Sequence, residues 1–158
     1  MGVFMKIIFI FSFALFFLTG CATKYQPMDA TGGYKETQLD YNIFRVTFSG
    51  NGGVSKEKAS DYALLRSAEV ALMNGYNYFI IVDSDKYSSK DYFKTPTSYT
   101  KNYGTNRVTS SGGETFEYSK PTTSNTIVCY KERPDKDVIV YDAKFLVNSL
   151  KSKYEINY

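Results

Sequence analysis

Apolar and polar residues alternate one by one through "NIFRVTFSG", where Phe44, Val46 and Phe48 are separated by Arg45 and Thr47. A period of two places every second side chain on one face, so residues 43–48 are expected as a strand with one buried side. The period then changes. Asn51, Gly52 and Gly53 make a turn, Ser55 is placed to cap a helix, and Glu57 stands near its positive end. From Lys56 to about Met73, Leu64, Leu65, Ala68, Ala71 and Leu72 recur on one side at helical spacing, and Asn74-Gly75 supplies a left-handed stop. "YFIIV", residues 78–82, is apolar on both faces, the pattern of a central strand. Strand, helix and central strand in this order suggest a right-handed crossover unit.

Past Asp83 the periodicity fades. Residues 86–123 are rich in Ser, Thr, Gly, Lys and Tyr and are expected as an irregular arm with one hairpin, a connection long enough to be functional or mobile. "SNTIVCYK", residues 124–131, reads as another central strand, and regular structure is expected to break at Pro134. Asp142 caps a final helix in which Ala143, Leu146, Val147 and Leu150 match the i, i+3, i+4, i+7 template. On either side lie segments without periodicity: "ATKYQPMDATGG" (22–33), expected as a tether, and "KSKYEINY", expected as a loosely attached tail over 152–158. The expectation is one α+β domain over 34–151, with order beginning near Tyr34. It is a two-layer sandwich in which a small mixed sheet of about 3–5 strands carries two helices on one face, and the arm lies between the second and third main strands.

The amino-terminal region obeys a different logic. Ile7 to Leu18 is an apolar run of twelve residues preceded by Lys6. A membrane-spanning helix needs about 20, whereas a run of this length suits the h-region of a signal peptide, and Met5-Lys6 offers an alternative start. The run ends in "LTGC", which resembles the lipobox of bacterial lipoproteins. The resemblance implies cleavage after Leu18, Thr19 and Gly20, a diacylglycerol on the Cys21 thiol and an acylated new amino terminus. Residues 1–20 are then a signal peptide and 21–33 a lipidated tether. Ala22, where lipoproteins kept in the inner membrane often carry aspartate, implies sorting to the outer membrane. An ordinary signal peptide cut near Gly20, or an uncleaved anchor, is the alternative.

Composition narrows the chemistry. Removing residues 1–20 leaves 138 of 158 residues, enough for one domain, with 18 basic and 16 acidic side chains. So small a surplus argues against a nucleic-acid partner. With Cys21 acylated, Cys129 has no partner in the chain, and its setting in "TIVCY" reads as a buried small hydrophobe. The chain has no histidine, which removes Ser-His-Asp and Cys-His machinery and the commonest zinc sites. No cofactor or metal is expected. Asp83 with Asp85, or Glu114 with Glu117, are the carboxylate pairs a hydrolase would use, although such spacing also suits a solvated rim. The glycines before the first helix could cradle a phosphate, but neither GK[ST] nor GxGxxG is present. Arg66 and Glu69, three apart on the shoulder of the apolar stripe, read as a structural pair. Tyr87, Tyr92, Phe93, Tyr99, Tyr103, Phe116 and Tyr118 give the arm its aromatic content. They suit anchoring of a partner or stacking on sugar rings; strand aromatics covering a sheet edge are the plainer reading.

"GYKETQL" (33–39), "FSGNG" (48–52), "LLRSAE" (64–69) and "NGYNYFII" (74–81), placed after a lipobox, together resemble a family of small bacterial lipoproteins of uncharacterised function. The likeness covers roughly residues 25–82, with a weaker echo in "IVCYK" and "YDAKFL". It implies an envelope location and an α+β fold and assigns no activity. The functional expectation is a non-enzymatic lipoprotein, anchored by lipid on Cys21 at the periplasmic face of the outer membrane, serving as a binding or structural module for an unidentified envelope protein or glycan. A peptidoglycan-binding arm is the alternative reading, and a carboxylate-dependent hydrolase ranks below it.

Overall fold

The computed structural model describes residues 22–102, 104 and 107–157; Leu18, Thr19, Gly20 and Cys21 of the lipobox-like "LTGC", and Tyr103 of the arm, lie outside the described residues. The elements in chain order are β1 (Gly33–Asp40), β2 (Ile43–Ser49), α1 (Lys56–Met73), β3 (Tyr78–Lys94), β4 (Ser98–Asn102), β5 (Arg107–Ser111), β6 (Thr115–Tyr130), β7 (Tyr141–Asp142) and α2 (Ala143–Lys153). The fold is an α+β sandwich.

Five strands form the main sheet in the order β1-β2-β6-β3-β7, and β4 and β5 pair separately. The pairings among the named strands are all antiparallel. The crossover unit is present with one difference. β2 and β3 both run antiparallel to β6, so they are parallel to each other with α1 as their connection, but β6 is wedged between them. The sheet is therefore antiparallel where a mixed one was expected, its parallel pairing reduced to an isolated bridge between Pro27 and Tyr34.

The helix signals are realised as local chemistry requires. Ser55 accepts from the Lys58 N–H at 3.1 Å, Asp142 Oδ1 accepts from the Phe145 N–H at 2.9 Å, and Gly75 closes α1 with φ +79°. The alternation in β2 turns Phe44, Val46 and Phe48 toward α1, whose Ala59, Ala63, Ala68 and Ala71 permit close approach to the sheet. Because α2 packs along α1, α1 is buried well beyond one stripe, and even Arg66 and Glu69 are only 9% exposed. Cys129 sits in this core beside Phe79 and Ile127, and burial pushes its thiol pKa up to about 12.

Both chain ends depart from expectation. Residues 22–33 do not behave as a tether. Thr23 is 2% exposed; its hydroxyl donates to the Thr31 carbonyl at 2.7 Å and accepts from the Asn51 N–H at 2.9 Å. Ala22 and Tyr25 pack on the second core cluster, around Phe48 and Tyr62. The tail closes the same cluster from the other side. Tyr154 meets Tyr62 edge-on at 5.1 Å and donates to Asp61 at 2.7 Å, Ile156 adds apolar contact, and Lys153 bridges Glu57 and Asp61.

The third departure is the arm, which is regular. β3 and β6 stay in register from Tyr78 opposite Tyr130 out to Lys94 opposite Thr115, with one shift between Ile81 and Asp83. Beyond Tyr87, where β2 ends, residues 88–94 and their partners thus form a two-stranded ribbon that continues about 23 Å at roughly 3.3 Å per residue. Gly112 and Gly113, with φ +88° and +79°, let the chain bend onto Thr95 and Pro96, and the β4–β5 hairpin forms the tip.

Gly33 secures the amino-terminal segment. Its φ is +138°, and a Cβ there would stand 2.5 Å from the Gln26 carbonyl oxygen. We expect Gly33→Ala to release residues 22–32 while leaving the helices intact. Limited proteolysis should then cut within this segment at a far higher rate with unchanged far-UV circular dichroism; equal cleavage of both proteins would refute the docking.

Candidate functional site

Two places concentrate chemistry, a charged cluster where the amino-terminal segment, sheet and helices meet, and the ribbon. The cluster centres on Arg66, placed on α1 by the helical repeat that also buries Leu65 and Ala68. Its guanidinium donates from Nη2 and Nε to the two Glu36 carboxylate oxygens at 2.7 and 3.2 Å, a bidentate pair with β1. Nη1 donates to Glu69 Oε2 at 3.1 Å, and the same oxygen accepts from the Tyr25 hydroxyl at 2.7 Å. Glu69 Oε1 faces Lys151 Nζ of α2 at 3.2 Å, and the Tyr34 ring lies 4.3 Å from Arg66 Cζ.

Burial works against the Arg66 charge, but the hydrogen bonds to Glu36 and Glu69 outweigh it and hold the group protonated more firmly than a free arginine. Arg66 and Lys151 offset Glu36 and Glu69, so the cluster carries no formal surplus. It borders a groove of about 520 Å³ whose apolar lining comes from Pro27, Tyr34, Leu72, Met73 and Val147. The expected Arg66–Glu69 pair is present. Glu36, Tyr25, Tyr34 and Lys151, which complete it, were not expected from the sequence. The signal lay in two short stretches: Tyr34 and Glu36 belong to "GYKE", and Arg66 and Glu69 to "LLRSAE". These stretches meet in space.

On the ribbon, pairing register assigns the aromatics to faces. Tyr87, Phe93, Phe116 and Tyr118 share one face, with Phe93 directly opposite Phe116; Tyr92 lies on the other face and Tyr99 on the tip hairpin. Tyr87, Tyr92, Phe93, Tyr99 and Phe116 are all more than half exposed, so the reading of them as cover for a sheet edge does not describe the ribbon. Tyr118 differs, since its ring packs over Gly52 and its hydroxyl donates to Asp91 Oδ2 at 3.1 Å. Cross-strand ion pairs, Lys120–Asp91 at 2.7 Å and Lys90–Glu117 at 2.8 Å, brace the strands. Lys120, then the Tyr92 N–H and the Tyr118 hydroxyl, hold the Asp91 carboxyl below the usual carboxylate range, and Lys90 does the same for Glu117.

The remaining candidates are scattered. Asp83 and Asp85 are exposed on β3 opposite Thr126 and Ser124; Glu114 is exposed in the bend, and Glu117 is committed to Lys90. Among the described residues no group of three or more Cys, Asp or Glu side chains is arranged to hold a metal ion. In the glycine turn, the Gly53 N–H donates to Asn51 Oδ1 and the Val54 N–H to the Asn51 carbonyl, which uses donors a phosphate would need. Comparison with protein-family models, curated proteins and solved structures returned no match.

Arg66→Met strands Glu36 and Glu69 beside each other, and we expect a loss of about 2–4 kcal/mol in urea unfolding, partly recovered on adding Glu36→Gln. A loss well below 1 kcal/mol would show that the network contributes little. For the ribbon, the Asp91 and Glu117 values are depressed by folding, so their contribution is complete at neutral pH and disappears as pH falls through the folded values, below the usual carboxylate range. Amide protection factors at 86–94 and 115–121 should therefore fall on acidification before those of β2.

Proposed function

We propose that the protein is a bacterial lipoprotein, held at the periplasmic face of the outer membrane by lipid on Cys21, and that its α+β domain is a non-catalytic binding or structural module of the cell envelope. The observation that carries this reading is "LTGC" at the end of a twelve-residue apolar run, with Ala22 next in the chain. The packing of Ala22 and Thr23 adds to it, because a lipid on the preceding residue would join the globule with almost no slack. Several acyl chains at about 0.8 kcal/mol per buried CH₂ make such attachment effectively permanent. Among the described residues no helix is long and apolar enough to cross a membrane.

Radiolabelled palmitate should enter the wild-type protein and be absent from Cys21→Ala, which should leave the membrane fraction. Labelling of that variant would defeat the reading, while wild-type protein sedimenting with the inner membrane on a density gradient would correct its sorting alone.

A further inference from the structure

The arm and the first described residue leave the domain at the same end. Ala22 and Tyr118 flank the Gly52-Gly53 dipeptide: a Cβ on Gly53 would stand 3.2 Å from Ala22 Cα, and one on Gly52 would stand 3.0 Å from Tyr118 Cδ2. Thr23 is tied to Asn51 in the same turn, and Lys56 at the start of α1 shares a recess of about 150 Å³ with Lys86, Tyr87 and Pro121 at the ribbon's base. The β1–β2 turn, with Tyr41 89% exposed, lies at the other end of β2, about 20 Å away.

The ribbon is too thin to bury its own aromatics. A two-stranded ribbon has no core, so Tyr87, Tyr92, Phe93 and Phe116 stay in contact with water, and Tyr99 on the tip does so too. Residues 86–123 hold six basic and three acidic side chains; the rest of 21–158 holds 12 and 13. The small positive surplus of the chain thus lies in the arm. Exposed Tyr and Phe settle at the boundary of headgroup and acyl chain, where rings are half wet, and a positive surplus is drawn to the lipid phosphates. Each cation near an anionic surface adds to the attraction.

We propose that the arm is a membrane-contacting element: with the chain held at Cys21, the ribbon lies against the anionic phospholipid surface, its Phe93–Phe116 pair seated at the interface, while Lys86, Lys90 and Lys94, which share the opposite face with Tyr92, stay within about a Debye length of the headgroups across so thin a ribbon. The inference rests on the lipid-anchor reading and adds an orientation to it. The anchored ribbon has a high local concentration at the surface, so weak contacts suffice.

The chain has no tryptophan, so one introduced indole reports alone. Acylated Phe93→Trp and Tyr41→Trp proteins are reconstituted in phosphatidylethanolamine–phosphatidylglycerol vesicles carrying brominated acyl chains. Phe93→Trp should be blue-shifted and quenched by about twofold or more, and by more than Tyr41→Trp at the far end of β2, and adding Lys86→Glu and Lys94→Glu should weaken the quenching. Tyr99→Trp at the tip repeats the measurement should Phe93→Trp alter the fold by circular dichroism. Acylated protein whose arm reporters stay unquenched overturns the membrane contact and leaves the anchor standing, as does an arm that responds to added peptidoglycan and not to lipid. Protein without acyl mass on Cys21 overturns both.

Discussion

One guanidinium holds three parts of the chain together. Arg66 is bracketed by Glu36 of β1 and Glu69 of its own helix, and Glu69 in turn receives Tyr25 from the amino-terminal segment and Lys151 from α2. Burying the charges of Arg66 and Glu69 is costly unless each finds a partner, and here both are paired, with each other and with the more exposed Glu36 and Lys151, at 3.2 Å or less. The same geometry explains why residues 22–33 lie on the domain. Tyr25 is fixed at its hydroxyl by Glu69 and at its ring by Tyr34 and Tyr62, at 4.8 and 5.2 Å. Where the amino terminus leaves the globule is therefore set by side chains on three separate elements.

The legible parts of the fold were those in which burial writes a period into the sequence. β2, α1, the first part of β3, the last part of β6 and α2 all pack one face on the core, and their expected bounds differ from the observed ones by a residue or so. β1 was not read as a strand because it is exposed from Lys35 onward and the positions that share a face with the buried side of β2 are Tyr34, Glu36 and Gln38, which leaves no apolar alternation. The outer halves of β3 and β6 are wet on both faces, so nothing in their hydrophobic pattern distinguishes ribbon from loop; cross-strand pairs specify them, and those pairs lie up to some 35 residues apart. The docked ends were illegible for a related reason. Thr23, Asn51, Asp61 and Tyr154 are held by hydrogen bonds, which leave no period behind.

The candidate site divides the same way. Arg66 and Glu69 stood out as a helical pair, and the exposed aromatics as a cluster in sequence. Their settings depend on contacts from distant segments. The ribbon stands outside the sandwich, braced by its own ion pairs and one ring against the glycine turn. Sequence change in its outer half costs the core little, and that freedom suits a surface adapted to whatever it touches.

The position of β6 carries a further consequence. β3 and β6 form one long hairpin, but β6 must also slot against β2, bringing Phe44 beside Ile127 from roughly 80 residues away. Until the ribosome has delivered residue 130, β2 has no neighbour on that side and α1 has half a sheet to cover. The sheet therefore lacks its central strand through most of synthesis, and the globule closes only when its last third arrives.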